Sequence, residues 1–244
     1  MHSPELQVFP DAPALTAAAV ARWVAICHHA VAQRGRFVVA LAGGGTPLAA
    51  YRQLAERRDL PWERVLVTWG DERLVPLDHE DRNERSAREA LLSHVGVREE
   101  HVLGWGEGDD AALLARAHEQ RLRGALGDPP WFDLVLLGLG ADAHTASLFP
   151  GTGSVFAPGL ATVGTAPDGR ARLTLTPRAL SHAEEVLVLV SGADKRDALR
   201  RTLQREGDED ALPLTALAPT MAFVVLADAR AAPSPPADGV TVER

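Results

Sequence analysis

The sequence has few of the features that mark disulfide-bonded, metal-binding or nucleic-acid-binding proteins. Cys27 is its only cysteine, which excludes an intramolecular disulfide and a paired-cysteine metal site and suits a reducing compartment. We interpret Cys27 as a small buried hydrophobic residue. Basic residues number 25 against 33 acidic ones, and no basic block occurs. A protein that neutralises a phosphate backbone needs the opposite balance, so we expect no nucleic-acid partner.

Long uninterrupted apolar runs are also scarce. The most apolar stretch, 12–32, is interrupted by Arg22, His28 and His29, and what remains is too short to span a bilayer. The N-terminus lacks the basic region of a signal peptide. These absences predict an amphipathic helix over 12–32, a cytoplasmic location and no membrane partner.

The length sets the domain organisation. With 244 residues, of which 46% are hydrophobic, the chain can bury a full core and lies near the upper size of one domain. We expect a single domain over 1–230, with at most a small subdomain, in a monomer or small homo-oligomer. The composition of APSPPADG (232–239) predicts a loosely ordered tail over 231–244.

Short apolar runs alternate with segments of helical spacing. The runs are rich in valine and leucine and mostly lack polar alternation, which is typical of strands covered on both faces. They are RFVVALA (36–42), RVLVTW (64–69), FDLVLLGLG (132–140), EVLVLV (185–190) and MAFVVLA (221–227). ARLTLT (171–176) alternates and fits a strand nearer an edge. The pattern predicts an α/β fold, a three-layer α/β/α arrangement with a mostly parallel, Rossmann-like sheet.

In open parallel sheets, ligands bind beyond the carboxyl ends of the strands, so the loops after the strands are the candidates for chemistry. Gly43, Gly44 and Gly45 follow the first of these runs and let a ligand approach the backbone. Thr46 suits the N-cap of the next helix and Pro47 its first turn. Such a helix start presents free N–H groups to a phosphate or sugar oxygen. The segment is not a P-loop, because the Lys-Ser/Thr ending is missing.

A charged group follows the next run. Asp71, Glu72 and Arg73 stand together, and the planar guanidinium of Arg73 suits a phosphate or carboxylate. Asn83, at the predicted start of the following helix, can cap that helix or reach the same site. A solvated loop with local ion pairs would have the same composition, so this cluster alone does not establish a binding site.

One histidine follows the third run. In LLGLGADAHTASLFPG (136–151) we expect Gly138 and Gly140 to make the turn and a short helix to begin at Thr145, which brings His144 into the crevice. Its position opposite the two other loops favours a catalytic role. GLGADA also fits the dinucleotide pattern GxGxxA, but no strand about twenty residues further on ends in the acidic residue that would hold a ribose. An NAD-binding oxidoreductase is therefore the weaker alternative.

Two further cations belong to the same edge. Lys195, in SGADKRDAL, is predicted to lie at the start of a helix after a strand, and Arg172 lies in ARLTLT. Each alone is an ordinary surface charge. Together with Arg73 and the histidine, they predict that three cations converge on a small anionic ligand.

These segments resemble a known family. GGGTPLAAYRQLA, VTWGDERLVPLDHEDRN, FDLVLLGLGADAHTASLFPG, ARLTLTP and VSGADKRDAL stand in the order and approximate spacing of 6-phosphogluconolactonases of the glucosamine-6-phosphate isomerase superfamily. The resemblance extends over 8–230, and HTASLFPG is its most specific part. It implies hydrolysis of 6-phospho-D-glucono-1,5-lactone to 6-phosphogluconate, the second step of the pentose phosphate pathway, at a site without metal or cofactor.

The resemblance also implies roles for particular residues. It makes His144 and Asp71 catalytic, and it assigns substrate binding to Gly43, Gly44, Gly45, Thr46, Glu72, Arg73, Asn83, Arg172 and Lys195. As the base, His144 would take a proton from water attacking C1 and return it to the departing ring oxygen. No GxSxG elbow occurs, and Ser191 lies four residues before Lys195 where an S-x-x-K motif needs three, so a covalent acyl-enzyme is not expected.

The chain departs from the family pattern at two positions. The usual Asp-Gly-His-Thr has Ala143 in place of glycine, which questions any backbone conformation that only glycine adopts freely. The usual Asp-Ser-Asn has Arg82 in place of serine, so a hydroxyl is replaced by a cation.

Two alternatives from the same fold stay open. Glucosamine-6-phosphate deaminases share the glycine loop and the charged loop. After the third strand, however, they have a segment similar to Gly-His-Ile-Gly-Phe-Asn-Glu-Pro, where this chain has HTASLFPG. A sugar-phosphate sensor would bind without catalysis. Such sensors accompany a helix-turn-helix, for which there is no room before a first strand at residue 36.

Overall fold

A seven-stranded parallel sheet with helices on both sides organises the chain, as seen in a computed structural model that describes residues 4–217, 223–233 and 241–243. All of its strand pairs are parallel. In spatial order the strands are β10 (Thr241–Glu243), β1 (Glu5–Phe9), β9 (Val224–Asp228), β8 (Ala183–Val190), β5 (Phe132–Gly138), β2 (Phe37–Leu41) and β3 (Val65–Trp69). The predicted α/β class and parallel sheet are confirmed.

Six α-helices and a small second sheet complete the described part of the chain. The second sheet is antiparallel, with strand order β4 (Asp71–Arg73), β7 (Ala171–Leu175) and β6 (Ala161–Thr165). The helices are α1 (Ala12–Arg34), α2 (Gly45–Ala55), α3 (Asn83–Ala90), α4 (Ala111–Leu126), α5 (Pro177–Leu180) and α6 (Arg196–Gln204).

The apolar runs predicted as parallel strands form β2, β3, β5, β8 and β9, although residues 221 and 222 lie outside the described residues. ARLTLT forms β7, which is the middle strand of the small sheet and not an edge strand of the main one. The expectation that the first strand lies at residue 36 is wrong, because β1 precedes it. In ELQVF only Leu6 is fully buried, so β1 lacks the continuous apolar run that marks a strand covered on both faces.

The structure describes residues 231–233 and 241–243 of the predicted loose tail. Residues 234–240 lie outside the described residues, whereas Thr241–Glu243 pair in parallel with Glu5, Leu6 and Gln7 of β1. This last part is therefore a strand and not a loose segment.

The long helix α1 is a core element. Its N-cap Asp11 accepts a hydrogen bond from the backbone N–H of Ala14, and it ends at Gly35, whose φ is 72°. By length and composition α1 is apolar enough to cross a membrane, but Trp23 and Cys27 on one face are buried against the sheet. Burial raises the pKa of the Cys27 thiol to about 12, as expected for an inert, buried cysteine.

A buried histidine joins α4 to the sheet. His118 is fully buried, and its ring stacks on Trp105 with 3.9 Å between centroids. Its Nε2 lies 3.2 Å from Oγ1 of Thr68 in β3. Burial, reinforced by the nearby charge of Arg121, lowers the pKa of His118 to about 3, so the folded protein keeps this imidazole neutral.

This buried histidine predicts a loss of stability in mild acid. The unfolded chain protonates His118 below its ordinary pKa of 6.5, whereas the folded chain does so only near 3, so its contribution to the free energy of unfolding falls as pH decreases between these values. We expect that contribution to fall by on the order of 1–2 kcal/mol between about pH 6.5 and pH 5. Urea unfolding at several pH values should show this slope in wild type and its loss in His118→Gln. His29→Gln, at an exposed position, is the matched control and should keep the wild-type slope. Equal slopes of unfolding free energy against pH in wild type and His118→Gln would contradict the assignment.

Candidate active site

Two adjoining cavities form one cleft at the carboxyl ends of the parallel strands. The first, about 450 Å³, is lined by residues after β2, β3, β5 and β8. The second, about 310 Å³, extends toward the small sheet. We call the first the glycine lobe, because the 43–47 loop lines it, and the second the arginine lobe, because Arg172 lines it. The residues shared by the two lobes are Asp71, Arg73, His144 and Ala146.

The glycine loop leads directly into α2. This helix begins at Gly45 after Gly44, whose φ is 100°, and no side chain caps it. Thr46 therefore lies inside the first turn, and its predicted role as the N-cap is wrong. Gly43 packs so closely on the next loop that a Cβ atom there would lie 2.0 Å from Oδ1 of Asn83. The first N–H groups of α2 thus remain available in the lobe, as an anion site requires.

Strand β4 presents alternate side chains to opposite sides. Asp71 and Arg73 line the cleft, whereas Glu72 points into the protein and is fully buried. Oδ2 of Asp71 accepts a hydrogen bond of 2.6 Å from Oγ of Ser147, and the backbone oxygen of Asp71 accepts one of 2.9 Å from Nδ2 of Asn83. The Asp71 carboxylate is therefore held in one orientation. Sequence reasoning did not identify Ser147 as its partner.

The placement of Glu72 contradicts its predicted role in substrate binding, since it lines neither lobe. Its carboxylate accepts hydrogen bonds of 2.7 to 2.8 Å from the backbone N–H groups of Arg73, Asn83 and Glu84. Glu72 thus caps α3, a role expected of the Asn83 side chain. Burial raises the pKa of Glu72 to about 6, although these hydrogen bonds and the charge of Arg82 oppose the shift.

The segment after β5 is an irregular loop and not the short helix predicted from Thr145. Ala143 and Ala146 have positive φ values of 77° and 47°, which interrupt a right-handed helix. Oγ1 of Thr145 instead donates a 2.8 Å hydrogen bond to the oxygen of Gly138, which closes the loop onto the end of β5. Ala143 is fully buried. Although it is an alanine, it holds the left-handed backbone conformation that glycine adopts more freely.

The loop presents His144 beside a carboxylate. Nδ1 of His144 lies 2.6 Å from Oδ1 of Asp142, and the ring packs on Phe149 with 4.8 Å between centroids. This contact makes Nδ1 the protonated nitrogen and leaves Nε2 as a proton acceptor. Partial burial raises the pKa of Asp142, but the charge and hydrogen bonds of His144 outweigh it, so that pKa lies below its ordinary value. Sequence reasoning did not assign Asp142 this role, although its position two residues before the histidine was a usable signal.

The three predicted cations do not converge on one point. Arg73 lines both lobes and donates a 2.6 Å hydrogen bond to the backbone oxygen of Asp81. Arg172 lies opposite it in the small sheet and lines only the arginine lobe, where burial and the neighbouring cations lower its pKa. Lys195, just before α6, lines only the glycine lobe, with Nζ 3.0 Å from Asp194. The cleft therefore has a cationic group in each lobe and one between them.

Known proteins resemble the chain in both sequence and structure. Residues 10–226 match the family described as glucosamine-6-phosphate isomerases/6-phosphogluconolactonase. The 6-phosphogluconolactonase of Nostoc sp. is 39% identical over 232 residues, which cover 93% of this chain and 96% of that protein. The Mycobacterium tuberculosis 6-phosphogluconolactonase is 40% identical over 210 residues, 81% of this chain and 85% of that one.

Solved structures show the same fold. The structure of 6-phosphogluconolactonase from Trypanosoma brucei has a TM-score of 0.83 and 29% identity, and the match covers 95% of this chain and 98% of that one. A monomeric glucosamine-6-phosphate deaminase has a TM-score of 0.79 and 24% identity over 93% of this chain and 98% of that one, a likeness that extends to the fold alone.

The contacts of Gly140 predict that this position accepts no larger residue. An added Cβ atom would lie 2.2 Å from Nδ1 of His144 and 2.4 Å from Oδ1 of Asp142. Gly140→Ala should therefore push the His144 ring and the Asp142 carboxylate, which are the movable ends of partly exposed side chains, out of their contact. The altered rotamers should lower the free energy of unfolding by about 0.5–1.5 kcal/mol, measured by urea denaturation. Gly124→Ala in α4 is the matched control, because its Cβ meets nothing within 4 Å and should stabilise the helix by about 0.5–1 kcal/mol. A Gly140→Ala protein as stable as wild type would contradict the observed packing.

Proposed function

Because the chain belongs to the glucosamine-6-phosphate isomerase/6-phosphogluconolactonase family, we propose that it hydrolyses 6-phospho-D-glucono-1,5-lactone to 6-phosphogluconate, with His144 as the general base. This is the lactone-opening step in the oxidative branch of the pentose phosphate pathway. One observation supports the proposal above all: the Asp142–His144 pair lies where the two lobes of a cation-lined cleft meet.

The arrangement supports direct attack by water. With Nδ1 held by Asp142, Nε2 of His144 accepts a proton from a water molecule as its oxygen bonds to C1. The bond between C1 and the ring oxygen then breaks, and the ring oxygen receives the proton from His144. Asp142 stabilises the imidazolium between these steps. The product acid ionises at neutral pH, so each turnover releases one proton to the solvent.

Asp71 fits a second catalytic role in the same step. It lines both lobes, as His144 does, and the hydrogen bonds from Ser147 and Asn83 fix its carboxylate. We assign Asp71 the task of orienting the attacking water: the water donates a hydrogen bond, and the Asp71 carboxylate accepts it. Positioning of this kind lowers the entropic part of the barrier.

The serines near the cleft do not suit a covalent route. Ser147 is almost fully buried and donates its hydroxyl hydrogen to Asp71, while Ser191 donates to Asp228 at 2.7 Å. A nucleophilic serine needs a base such as histidine on its hydroxyl. Both hydroxyls donate to carboxylates, and neither is hydrogen-bonded to a histidine among the described residues, so we favour water as the nucleophile.

The two lobes suggest how the substrate lies. We place the phosphate in the glycine lobe, because the N-terminus of α2 and the Lys195 ammonium both attract an anion there. The lactone ring then reaches His144, and Arg172 faces the sugar end from the arginine lobe. This placement revises the expectation that Arg73, Arg172 and Lys195 converge on one small anionic ligand.

The catalytic assignment predicts the behaviour of His144→Asn. We expect its kcat for freshly generated 6-phosphogluconolactone to fall by roughly 10²–10⁴-fold, followed as proton release in weak buffer. Asp142→Asn should lose part of the rate, since Nδ1 then lacks a charged partner. Full kcat in His144→Asn would contradict the assignment of the base.

The same assay separates the other functions of this fold. Glucosamine 6-phosphate is the control substrate, and no ammonia should appear from it. Ammonia release would favour a deaminase, whereas binding of both sugar phosphates without any turnover would favour a sensor.

The division of the cations predicts different effects on two substrates. Lys195→Ala should raise KM for the phosphorylated lactone by roughly 10- to 100-fold, the value of a charge-assisted hydrogen bond, and barely change KM for glucono-1,5-lactone. Arg172→Ala should affect both lactones alike, because it faces the sugar end. Steady-state kinetics with the two lactones measure this, and a phosphate-selective loss in Arg172→Ala but not in Lys195→Ala would reverse the assigned orientation.

A further inference from the structure

The guanidinium of Arg82 is buried beneath the cleft. Its side chain is only 1% exposed, which is rare for an arginine. Nη1 donates a 2.7 Å hydrogen bond to the oxygen of Val75, and Nη2 donates one of 2.5 Å to the oxygen of Gly106. Arg82 therefore fastens the charged loop after β4 to the segment before α4. Both of these hydrogen bonds are made within the protein, and Arg82 lines neither lobe.

Arg82 also faces the carboxylate that caps α3. Its Nε lies 3.5 Å from Oε2 of Glu72, and Nη2 lies 4.0 Å from Oε2 of Glu84. The Nε atom has no hydrogen bond, so its attraction to Glu72 is that of two charges at close range. A buried carboxylate without a counter-charge takes up a proton, and a protonated Glu72 would accept fewer of its three backbone hydrogen bonds.

A chain of hydrogen bonds leads from this pair to the cleft. Glu72 accepts from the backbone N–H of Asn83 at 2.8 Å, and Nδ2 of Asn83 reaches both the backbone oxygen and Oδ1 of Asp71, at 2.9 and 3.4 Å. Oδ1 of Asn83 meanwhile packs on the backbone of Gly43. The position of Asn83 therefore fixes the spacing between Asp71 and the glycine loop.

We propose that the buried Glu72–Arg82 pair is a positioning device, which holds Asp71 in its catalytic orientation through Asn83. Its effect on turnover rests on the proposed function, whereas its effect on Asn83 does not. Neither residue touches the substrate. The three backbone donors and the charge of Arg82 together oppose protonation of the buried Glu72 carboxylate, and this carboxylate orders the N–H groups of Arg73, Asn83 and Glu84.

The test compares Arg82→Met and Glu72→Gln with wild type. Each should lower kcat/KM for the phosphorylated lactone by on the order of 10- to 100-fold, the cost of a small misplacement of catalytic groups, at a temperature where the protein is fully folded. Arg82→Lys, which keeps the charge but cannot reach both carbonyl oxygens, should fall between. Arg85→Met is the matched control, since Arg85 is a half-exposed arginine of α3 that pairs with Glu89 and with the backbone oxygen of Asp78, outside both lobes. It should retain wild-type kinetics.

Two readouts separate positioning from a merely structural role. The side-chain amide resonances of Asn83 should shift in Arg82→Met and Glu72→Gln but not in Arg85→Met. In addition, the rate losses of Arg82→Met and Asn83→Ala should be strongly non-additive, because both act through the same hydrogen bond to Asp71. If Arg82→Met alone does not fold, the double variant Glu72→Gln/Arg82→Met, which removes both buried charges, provides the same measurements.

The outcomes are distinct for the two proposals. A folded Arg82→Met protein with wild-type kcat/KM, or with unshifted Asn83 resonances, would overturn the positioning role. Shifted Asn83 resonances in a protein whose wild type does not hydrolyse the lactone would support the positioning of Asp71 and reject the proposed substrate.

Discussion

Parallel pairing of β2, β3, β5 and β8 makes four loops leave the sheet at the same edge, and every group proposed to act on the substrate except Arg172 depends on this constraint. Whole helices and strands separate these loops in the sequence. Each contributes one kind of chemistry: free backbone N–H groups, a carboxylate with a guanidinium, an imidazole, and an ammonium. The strands themselves are buried, so the hydrophobic core fixes where these polar groups meet.

The cleft works against the net charge of the whole protein, which is -8. An acidic protein binds a phosphorylated sugar only where local cations and helix ends outweigh the distant carboxylates, because salt screens exposed charges beyond a Debye length of about 8–10 Å. The acidic groups near the cleft are each committed to a donor: Asp71 to Ser147, Asp142 to His144, and Glu72 to the start of α3. Hydrogen bonding spreads their charge into the protein, while Arg73, Arg172 and Lys195 line the cleft, the last of them paired with Asp194.

Sequence patterns predicted the main sheet because its central strands are continuous apolar runs, and they identified the loops because polar residues follow those runs. They failed where the structure depends on contacts distant in sequence. That Glu72 would turn inward to cap a helix eleven residues on follows from the register of β4 beside β7, which no local pattern contains. The helix predicted at Thr145 failed because Ala143 and Ala146 adopt left-handed backbone conformations that alanine seldom takes. The separation of Arg172 from Lys195 likewise arises from the small antiparallel sheet.

The two departures from the family pattern have different physical consequences. Ala143 keeps the backbone conformation expected of glycine, so the cost is local strain in the loop that carries His144, held by the closure of Thr145 onto β5. Arg82 introduces a buried charge, and such a charge persists only with a partner and with acceptors for its hydrogens. Glu72 and the carbonyl oxygens of Val75 and Gly106 supply both. Arg82 therefore depends on these neighbours, and in the proposed positioning role that dependence couples the loop beneath the cleft to the Asp71 carboxylate through Asn83.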